Sequence, residues 1–241
     1  MNLVKPYQNS KLDKTKQVKL MFDNVSESND KMNRILSLRT DVLWRRKAIN
    51  KIKIFNPSKI LDVATGTGDL LIEMDKRLQA NEIVGIDISE KMLKICQTKI
   101  KNSKSKITLL TANSEEIPYD DNTFDLATSA FGVRNFENLD KCLSEIYRVL
   151  KPNSHIMILE LSDSESKLLK TTFGFYFNKI VPKIGRIISK DGAAYDYLPN
   201  SVAAFTKGKE FLQILSKAGF KETSQTRLSF GICSIYTGKK K

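Results

Sequence analysis

The stretch Lys59-Ile60-Leu61-Asp62-Val63-Ala64-Thr65-Gly66-Thr67-Gly68-Asp69-Leu70-Leu71 decides the fold. Residues 60–63 are apolar apart from Asp62, and they predict a buried strand. Two glycines then break this pattern, and apolar residues at helical spacing follow them. A strand, a glycine turn and a helix in this order form the context in which a glycine motif binds a ligand. Because glycine has no Cβ atom, Gly66 and Gly68 let the backbone turn tightly and approach that ligand closely.

The glycine motif does not match the dinucleotide fingerprint. That fingerprint needs a third glycine three positions after Gly68, where this chain has Leu71. The remaining motif, Asp62-x-x-x-Gly66-x-Gly68, puts a carboxylate beside the turn. A carboxylate in this place suits a ligand that carries an ammonium or sulfonium group.

The second predicted strand adds a further acid at the expected place for a nucleoside ligand. Residues 82–87 are mainly apolar and end in Asp87, where a carboxylate can accept two hydrogen bonds from a ribose diol. The alternative is that Asp69 is only a helix N-cap and Asp87 only an acid at a strand end. Taken together, the two units favour S-adenosylmethionine (SAM) as the ligand. The residues predicted to bind it here are Asp62, Gly66, Thr67, Gly68 and Asp87.

Composition limits the domain count and the chemistry. The chain has 241 residues, which suits one α/β domain with a cap, and its formal net charge is +13. This charge permits nucleic acid or an anionic membrane surface as a partner. The three cysteines are far apart and predict neither a disulfide framework nor a zinc site. His155 is the only histidine, so we expect no metal and no Ser-His-Asp triad.

Membrane insertion and secretion are not expected from the sequence. The N-terminus is polar and lysine-rich, and no apolar run approaches the roughly 20 residues of a membrane span. We therefore expect a cytoplasmic protein, with peripheral attachment to the inner face of the membrane as an open alternative.

Several motifs resemble known methyltransferases. Residues 60–69 and 85–93 resemble class I SAM-dependent methyltransferases. Four further stretches narrow the resemblance to the ubiquinone/menaquinone biosynthesis C-methyltransferase family, over nearly the whole chain. These stretches are Met21-Phe22-Asp23, Trp44-Arg45-Arg46, Phe131-Gly132-Val133-Arg134-Asn135-Phe136 and Tyr195-x-Tyr197-Leu198-Pro199-x-Ser201. Where the family has a glycine near Arg39, this chain has none.

The resemblance and the alternation of predicted strands and helices imply a doubly wound, Rossmann-like α/β fold. We expect seven mostly parallel strands with an antiparallel last strand, as in class I methyltransferases. We predict a single domain, 1–241. Its parts are an N-terminal helical segment (1–55), a cofactor-binding core (56–163), a helical cap insertion (164–205), and a C-terminal helix and hairpin (206–241).

Periodicity and turn residues give the elements of this domain. The predicted helices are Lys14–Asn24, about Ser37–Ile54 after a polar loop at Ser26–Asp30, Leu139–Leu150, a kinked helix over Glu165–Lys190, and Lys209–Ala218. The predicted strands are Lys59–Val63, Glu82–Asp87, Lys106–Thr111, Phe124–Ser129 and His155–Leu161, with a hairpin of Arg227–Phe230 and Ile232–Thr237.

The remaining site residues come from the resemblance and from fold position. Asn113 and Ser114 follow the third strand and resemble adenine-contacting residues, although Asn113 is also a common turn residue. The loop 131–136 follows the fourth strand, at the point where ligands collect in doubly wound sheets.

In that loop Arg134 is the predicted catalytic residue, because its guanidinium can stabilise a quinol phenolate. Asn135 is expected to orient the quinol oxygen or a water molecule. Phe131, Tyr195 and Tyr197 are predicted substrate contacts, and Asp196 is a candidate base.

The leading interpretation is SAM-dependent C-methylation of a demethylmenaquinol to menaquinol. The alternatives are an RNA methyltransferase, suggested by the basic charge, and a non-catalytic SAM- or lipid-binding accessory protein. The chain carries no recognisable RNA-binding module, so we expect no nucleic-acid partner. The expected partners are a lipid-tailed quinol and an anionic membrane surface, and a homodimer is left open.

Overall fold

The computed structural model describes residues 4–162, 171, 174–176 and 191–241. Within these residues, seven strands form one sheet in the order β3-β2-β1-β4-β5-β7-β6. The strands are β1 Lys59–Val63, β2 Glu82–Asp87, β3 Lys106–Thr111, β4 Phe124–Ala130, β5 Leu150–Leu161, β6 Lys221–Leu228 and β7 Cys233–Lys239.

The sheet has the predicted doubly wound topology. Strands β1 to β5 pair in parallel, and the strand order reverses between β1 and β4. Strand β7 is antiparallel to both β5 and β6, which confirms the antiparallel end of the sheet. The reversal places the carboxyl ends of β1 and β4 side by side, and a crevice opens there.

Two strand starts differ from the sequence prediction by five or six residues. Strand β6 begins at Lys221 rather than Arg227, because it is a polar edge strand held by ladder bonds to β7, and its apolar alternation is weak. Strand β5 begins at Leu150 rather than His155. The turn-like residues Pro152 and Asn153 extend it, since the N–H of Asn153 donates to the carbonyl of Lys240 at 2.8 Å.

Helices cover both faces of the sheet. Helices α2, α3 and α4 bury their apolar residues on one face, and α5 and α7 bury theirs on the other. The alternation along β1 explains this, since Ile60 points to the first layer and Leu61 to the second. The helices are α1 Lys14–Leu36, α2 Thr40–Ile52, α3 Asp69–Arg77, α4 Glu90–Lys99, α5 Leu139–Val149, α6 Gly192–Ala204 and α7 Gly208–Lys217.

The first helix is longer than predicted. Residues 26–30, expected as a loop, continue the helix without a break to Leu36. Their hydroxyls are satisfied inside the helix, since Ser26 and Ser28 donate to the carbonyls of Asp23 and Val25. The polar run therefore does not interrupt α1, and its apolar residues pack against α6 and α4.

The predicted cap helix, Glu165–Lys190, lies mainly outside the described residues. From the predicted cap segment the structure describes α6, whose Ala194, Tyr195 and Tyr197 pack against α1. In the part of the chain that is described, no helix is both long enough and apolar enough to span a bilayer.

The turn between α1 and α2 carries two non-glycine residues with left-handed backbone. Leu38 has φ 50° and Arg39 has φ 63°, and both side chains are exposed. Arg39 stands at the N-cap of α2, near the place where the family resemblance would put a glycine. A Cβ atom in this conformation contacts the backbone unfavourably, so the turn holds local strain.

We predict that Arg39→Gly raises the free energy of unfolding by about 1 kcal/mol, because glycine adopts positive φ without the steric cost of a Cβ atom. Urea unfolding measures this change. The control is Lys47→Gly. Lys47 is exposed inside α2, and glycine at this position should lower the free energy of unfolding by about 1 kcal/mol. A loss of stability in Arg39→Gly as large as in the control would contradict the prediction.

Candidate active site

The carboxyl ends of β1, β2 and β4, together with α1, α2 and α6, surround a cavity of about 490 Å³. This volume lies in the usual range for small-molecule sites. Every residue predicted for the site lines the cavity, except Gly68 and the candidate base Asp196. The lining residues from that prediction are Asp62, Gly66, Thr67, Asp87, Asn113, Ser114, Phe131, Arg134, Asn135, Tyr195 and Tyr197.

The two motif glycines have different roles. Gly66 has φ 57°, and a Cβ atom built on it would meet nothing within 4 Å, so open space lies above this turn. Gly68 has φ 82°, and its Cβ would lie 2.3 Å from Cys96 Sγ. Gly68 therefore lets α3 pack against α4, while Gly66 leaves room for a ligand. The N-cap of α3 is Gly68, so the alternative that assigned this cap to Asp69 is wrong.

Asp87 connects the glycine turn to the second strand. Its carboxylate accepts the N–H of Gly66 at 2.8 Å and the N–H of Ser89 at 2.8 Å. A carboxylate has about four acceptor positions, so two remain for a diol. Burial raises the pKa of Asp87 to about 6.

Asp62 is held between two hydroxyls at the floor of the cavity. It accepts hydrogen bonds of 2.6 Å from Thr65 and from Thr128. Burial raises the pKa of Asp62 to about 6, although these two hydrogen bonds oppose the rise. At neutral pH the ionised carboxylate presents negative charge to a cationic ligand.

The predicted adenine contacts lie in the loop after β3. The Asn113 side chain accepts the N–H of Glu115 at 3.1 Å, so Asn113 forms the turn and also lines the cavity. Ser114 is buried, and its hydroxyl lies 3.1 Å from Cys142 Sγ. Sequence reasoning missed Cys142, which also lines the cavity.

Helix α1 closes over the glycine turn through three polar contacts. Thr67 donates its hydroxyl to Asp30 at 2.5 Å, and Ser89 donates its hydroxyl to Asp23 at 2.6 Å. Arg34 forms an ion pair with Asp69 at 2.7 Å. The N-terminal segment therefore covers the glycine turn, and its Met21, Phe22 and Trp44 also line the cavity.

Arg45 lies inside the protein rather than on its surface. It is 5% exposed and pairs with Asp41 at 2.5 Å and with Asp69 at 3.5 Å. Its guanidinium carbon lies 5.3 Å from the centre of the Phe131 ring. Arg45 is therefore an ion-pair residue of the protein interior. The spacing of Asp41 and Arg45, four residues apart in a helix, was the available signal.

The loop 131–136 is held by a buried ion pair that sequence reasoning missed. Glu160 on β5 is fully buried and accepts Arg134 Nη1 at 2.7 Å and the N–H of Leu161 at 2.9 Å. Arg134 Nη1 also donates to the carbonyl of Phe131 at 2.5 Å. The signal for Glu160 was a single charged residue within the otherwise apolar run 156–161.

A second set of hydrogen bonds joins α1 to the end of the same loop. Glu137 accepts the N–H of Thr15 at 2.9 Å and its hydroxyl at 2.7 Å. In the opposite direction, Lys14 Nζ donates to the carbonyl of Phe136 at 2.8 Å. Burial lowers the pKa of Lys14 to about 8. The loop is thus held from β5 on one side and from α1 on the other.

On the loop after β4 and on α6, three buried polar atoms of cavity-lining residues have no hydrogen-bond partner among the described residues. These atoms are Arg134 Nε, Asn135 Oδ1 and the hydroxyl oxygen of Tyr197, and Arg45 Nε on α2 is a fourth such atom. Burial raises the pKa of Tyr197 to about 12, so its hydroxyl stays protonated and can donate. Orphaned polar atoms are costly in a protein interior, and a cluster of them at a cavity indicates the position of a polar ligand group.

Many apolar side chains also line the cavity. They come from α1, α2, α6 and the loop after β4: Val18, Met21, Phe22, Val25, Met32, Leu36, Trp44, Phe131 and Leu198. Asp196, the candidate base, is exposed and does not line the cavity. Among the described residues, no group of three His, Cys, Asp or Glu side chains is arranged to hold a metal ion.

Comparison with known proteins identifies the family of this chain. A profile of the ubiE/COQ5 methyltransferase family matches residues 9–240. The demethylmenaquinone methyltransferase of Bacteroides fragilis is 44% identical over 239 residues, covering 98% of this chain and 97% of that protein. The ubiquinone/menaquinone biosynthesis C-methyltransferase of Citrifermentans bemidjiense is 41% identical over 231 residues, covering 95% and 98%.

Solved structures support the fold. A SAM-dependent methyltransferase of Thermotoga maritima, described as a possible histamine N-methyltransferase, has a TM-score of 0.63 at 18% identity, covering 92% of this chain and all of that one. A phosphoethanolamine N-methyltransferase of Haemonchus contortus, solved with S-adenosylhomocysteine, has a TM-score of 0.57 at 15% identity, covering 81% and 52%. The chain therefore belongs to the ubiE/COQ5 methyltransferase family and has the fold of class I SAM-dependent methyltransferases.

Proposed function

We propose that this methyltransferase transfers a methyl group from SAM to a ring carbon of a demethylmenaquinol and so forms menaquinol. The observation that carries the proposal is the pairing of an apolar cavity wall with three unpartnered polar atoms, next to the acidic glycine turn. A quinol has the same division, with polar ring oxygens and a greasy isoprenoid tail. The name of the similar Bacteroides fragilis protein supports this substrate class.

SAM fits the acidic side of the cavity. Asp87 has two free acceptor positions for the ribose hydroxyls. The open space above Gly66 lets the ligand lie close to the backbone. Asp62 offers negative charge to the positively charged methionine end. Asn113 and Ser114 would contact the adenine. When bound, SAM supplies a methyl group on a sulfonium, which is a good leaving group.

The quinol ring fits the polar cluster on the substrate side. A ring hydroxyl both donates and accepts hydrogen bonds, and the cluster offers the matching groups. Arg134 Nε donates, Asn135 Oδ1 accepts, and the Tyr197 hydroxyl donates. The Phe131 ring and the apolar residues of α1 would then contact the ring face and the first part of the tail.

The chemistry requires a charged stabiliser more than a base on the protein. A ring hydroxyl loses its proton to solvent, and its electrons enter the ring. The ring carbon then forms a bond to the methyl carbon as the bond from that carbon to sulfur breaks. Loss of the proton from the same ring carbon restores aromaticity. Arg134 remains charged, so it stabilises the phenolate and does not accept the proton.

The direct test is methyl transfer from labelled SAM, with a short-chain demethylmenaquinol and bulk RNA offered separately. We expect label in the quinol and none in RNA. Label in RNA alone would contradict the proposal, and binding of SAM without transfer to either acceptor would favour an accessory protein.

The ribose role of Asp87 predicts that Asp87→Asn weakens SAM binding at least about tenfold, because an amide cannot serve the Gly66 and Ser89 N–H groups and a diol together. Calorimetric titration measures the affinity. Asp75→Asn is the matched control, because Asp75 is also buried and accepts backbone N–H groups of Lys104 and Ser105 away from the cavity. Equal SAM affinities in the two variants would remove Asp87 from the ribose site.

The unpartnered Tyr197 hydroxyl predicts opposite effects on stability and activity. Tyr197→Phe should gain about 1 kcal/mol of stability, since it removes a buried unsatisfied hydroxyl, and should lose about tenfold in kcat/KM for the quinol. Thermal unfolding and steady-state kinetics measure these effects. In the control Tyr236→Phe the hydroxyl is bonded by the Gly208 N–H at 3.0 Å, so stability should fall and kcat/KM should hold. If the two variants changed in the same way in stability and in kcat/KM, the Tyr197 hydroxyl would not be a quinol contact.

The raised pKa values predict a pH dependence of SAM binding. Burial puts the pKa of Asp62 and of Asp87 at about 6, so both carboxylates become protonated as the pH falls from 7 to 5. SAM affinity should fall about tenfold over this range for each carboxylate whose ionised form is required. Asp62→Asn should remove the part of this fall that comes from Asp62. A wild-type SAM affinity that stays constant from pH 7 to pH 5 would contradict the prediction.

A further inference from the structure

The outer face of α2 and its two flanking turns expose an unusual number of large aliphatic side chains. Leu38 is 79% exposed, Leu43 54% and Ile54 83%. Leu38 precedes the helix, Leu43 lies on it and Ile54 lies in the 3₁₀ turn Lys53–Phe55 that follows it. Leu43 and Ile54 are 11 positions apart, which is about three helical turns, so they share one side of the segment.

The exposed charges of the same segment are all positive. Arg39, Arg46, Lys47 and Lys53 are exposed. The one acid between residues 38 and 55 is Asp41, which is 3% exposed and already paired with Arg34 and Arg45. Within the described part of the chain, only Arg46 has an acidic neighbour on the outer side, since its Nε lies 3.4 Å from Glu73. We call this basic and aliphatic surface, defined by Leu38, Arg39, Leu43, Arg46, Lys47, Lys53 and Ile54, the α2 face.

The opposite side of α2 is fixed in the protein core. Trp44, Ala48, Ile49 and Ile52 are buried against the sheet. The helix is thus anchored by one side, and the α2 face does not need to move to become available. Exposed aliphatic side chains flanked by Lys and Arg are a pattern found at interfacial membrane contacts.

The α2 face also borders the entrance of the active site. Leu38, Thr40 and Trp44 line the cavity, and Leu38 is largely exposed. A residue that both lines a cavity and faces solvent marks a place where the cavity opens. A surface bound on the α2 face would therefore lie beside the opening.

We propose that the α2 face docks on an anionic phospholipid surface and holds the cavity opening against the membrane. The proposal rests on the proposed function for its purpose, since the isoprenoid tail of the quinol resides in the bilayer. Basic residues near an anionic leaflet attract it, and the aliphatic side chains gain by entering the interface. RNA fits the face less well, because nucleic-acid surfaces use aromatic residues for base stacking and gain nothing from exposed Leu and Ile.

The test is co-sedimentation with vesicles of phosphatidylcholine, with or without phosphatidylglycerol. The wild-type chain should bind the anionic vesicles, weakly at high salt, and bind the neutral vesicles much less. Lys47→Glu/Lys53→Glu should reduce binding at least about tenfold. Leu43→Ser/Ile54→Ser keeps every charge and should still reduce binding about tenfold, because burial of these side chains is lost.

A charge-matched control lies on the other side of the sheet. Lys209→Glu/Lys217→Glu changes two exposed lysines of α7 and should leave vesicle binding within about twofold of wild type, since charges beyond a Debye length contribute little. Loss of binding in this control as large as in Lys47→Glu/Lys53→Glu would overturn the proposal. So would equal binding of neutral and anionic vesicles, or no effect of Leu43→Ser/Ile54→Ser.

Two further measurements separate this proposal from RNA binding and from the proposed function. A fluorescent single-stranded RNA offered to the same variants overturns the docking proposal if it binds the α2 face while the vesicles do not. Turnover of a water-soluble short-chain demethylmenaquinol should be unchanged in Lys47→Glu/Lys53→Glu. If wild type fails to methylate that quinol yet binds vesicles through the α2 face, the proposed function fails and the docking surface stands.

Discussion

The buried ion pair between Arg134 and Glu160 is the interaction on which the rest of the active site depends. Glu160 is fully buried on β5, and an isolated charge there would cost several kcal/mol. Its pairing with Arg134 therefore seats the loop after β4 on the neighbouring strand and fixes the guanidinium. With Nη1 taken by Glu160 and by the Phe131 carbonyl, Nε is left buried without a hydrogen-bond partner among the described residues.

The cavity has two halves that the chain builds in different ways. The cofactor half comes from adjacent βα units, where Asp87 ties the glycine turn at Gly66 to the second strand. The substrate half needs segments from both ends of the chain. Helix α1 contacts both halves. It is hydrogen-bonded to Thr67 at the glycine turn and to Glu137 just after the loop 131–136. Any displacement of α1 would disturb cofactor and substrate contacts together, which suits a reaction that must exclude water while the methyl group moves.

Much of this architecture follows from local pattern. Strands β1, β2 and β3 have the predicted bounds, because each is a short run rich in apolar and β-branched residues between turn residues. The start of β6 was missed because an edge strand has no buried face to impose alternation. Residues 26–30 were expected as a loop because hydroxyls that bond back to the helix cannot be told from hydroxyls of a turn. Glu160 was missed because Arg134, the partner of this buried charge, lies 26 positions away in sequence. The unpartnered hydroxyl of Tyr197 is a property of packing alone.

The central claim is that the polar cluster receives the quinol oxygen beside the methyl donor. A crystal structure with S-adenosylhomocysteine and a short-chain demethylmenaquinone bound together measures this directly. The account predicts a ring oxygen within about 3.2 Å of Arg134 Nε or the Tyr197 hydroxyl, and the unsubstituted ring carbon facing the sulfur. A quinone ring bound elsewhere, with both of those donors still without a partner, would contradict it.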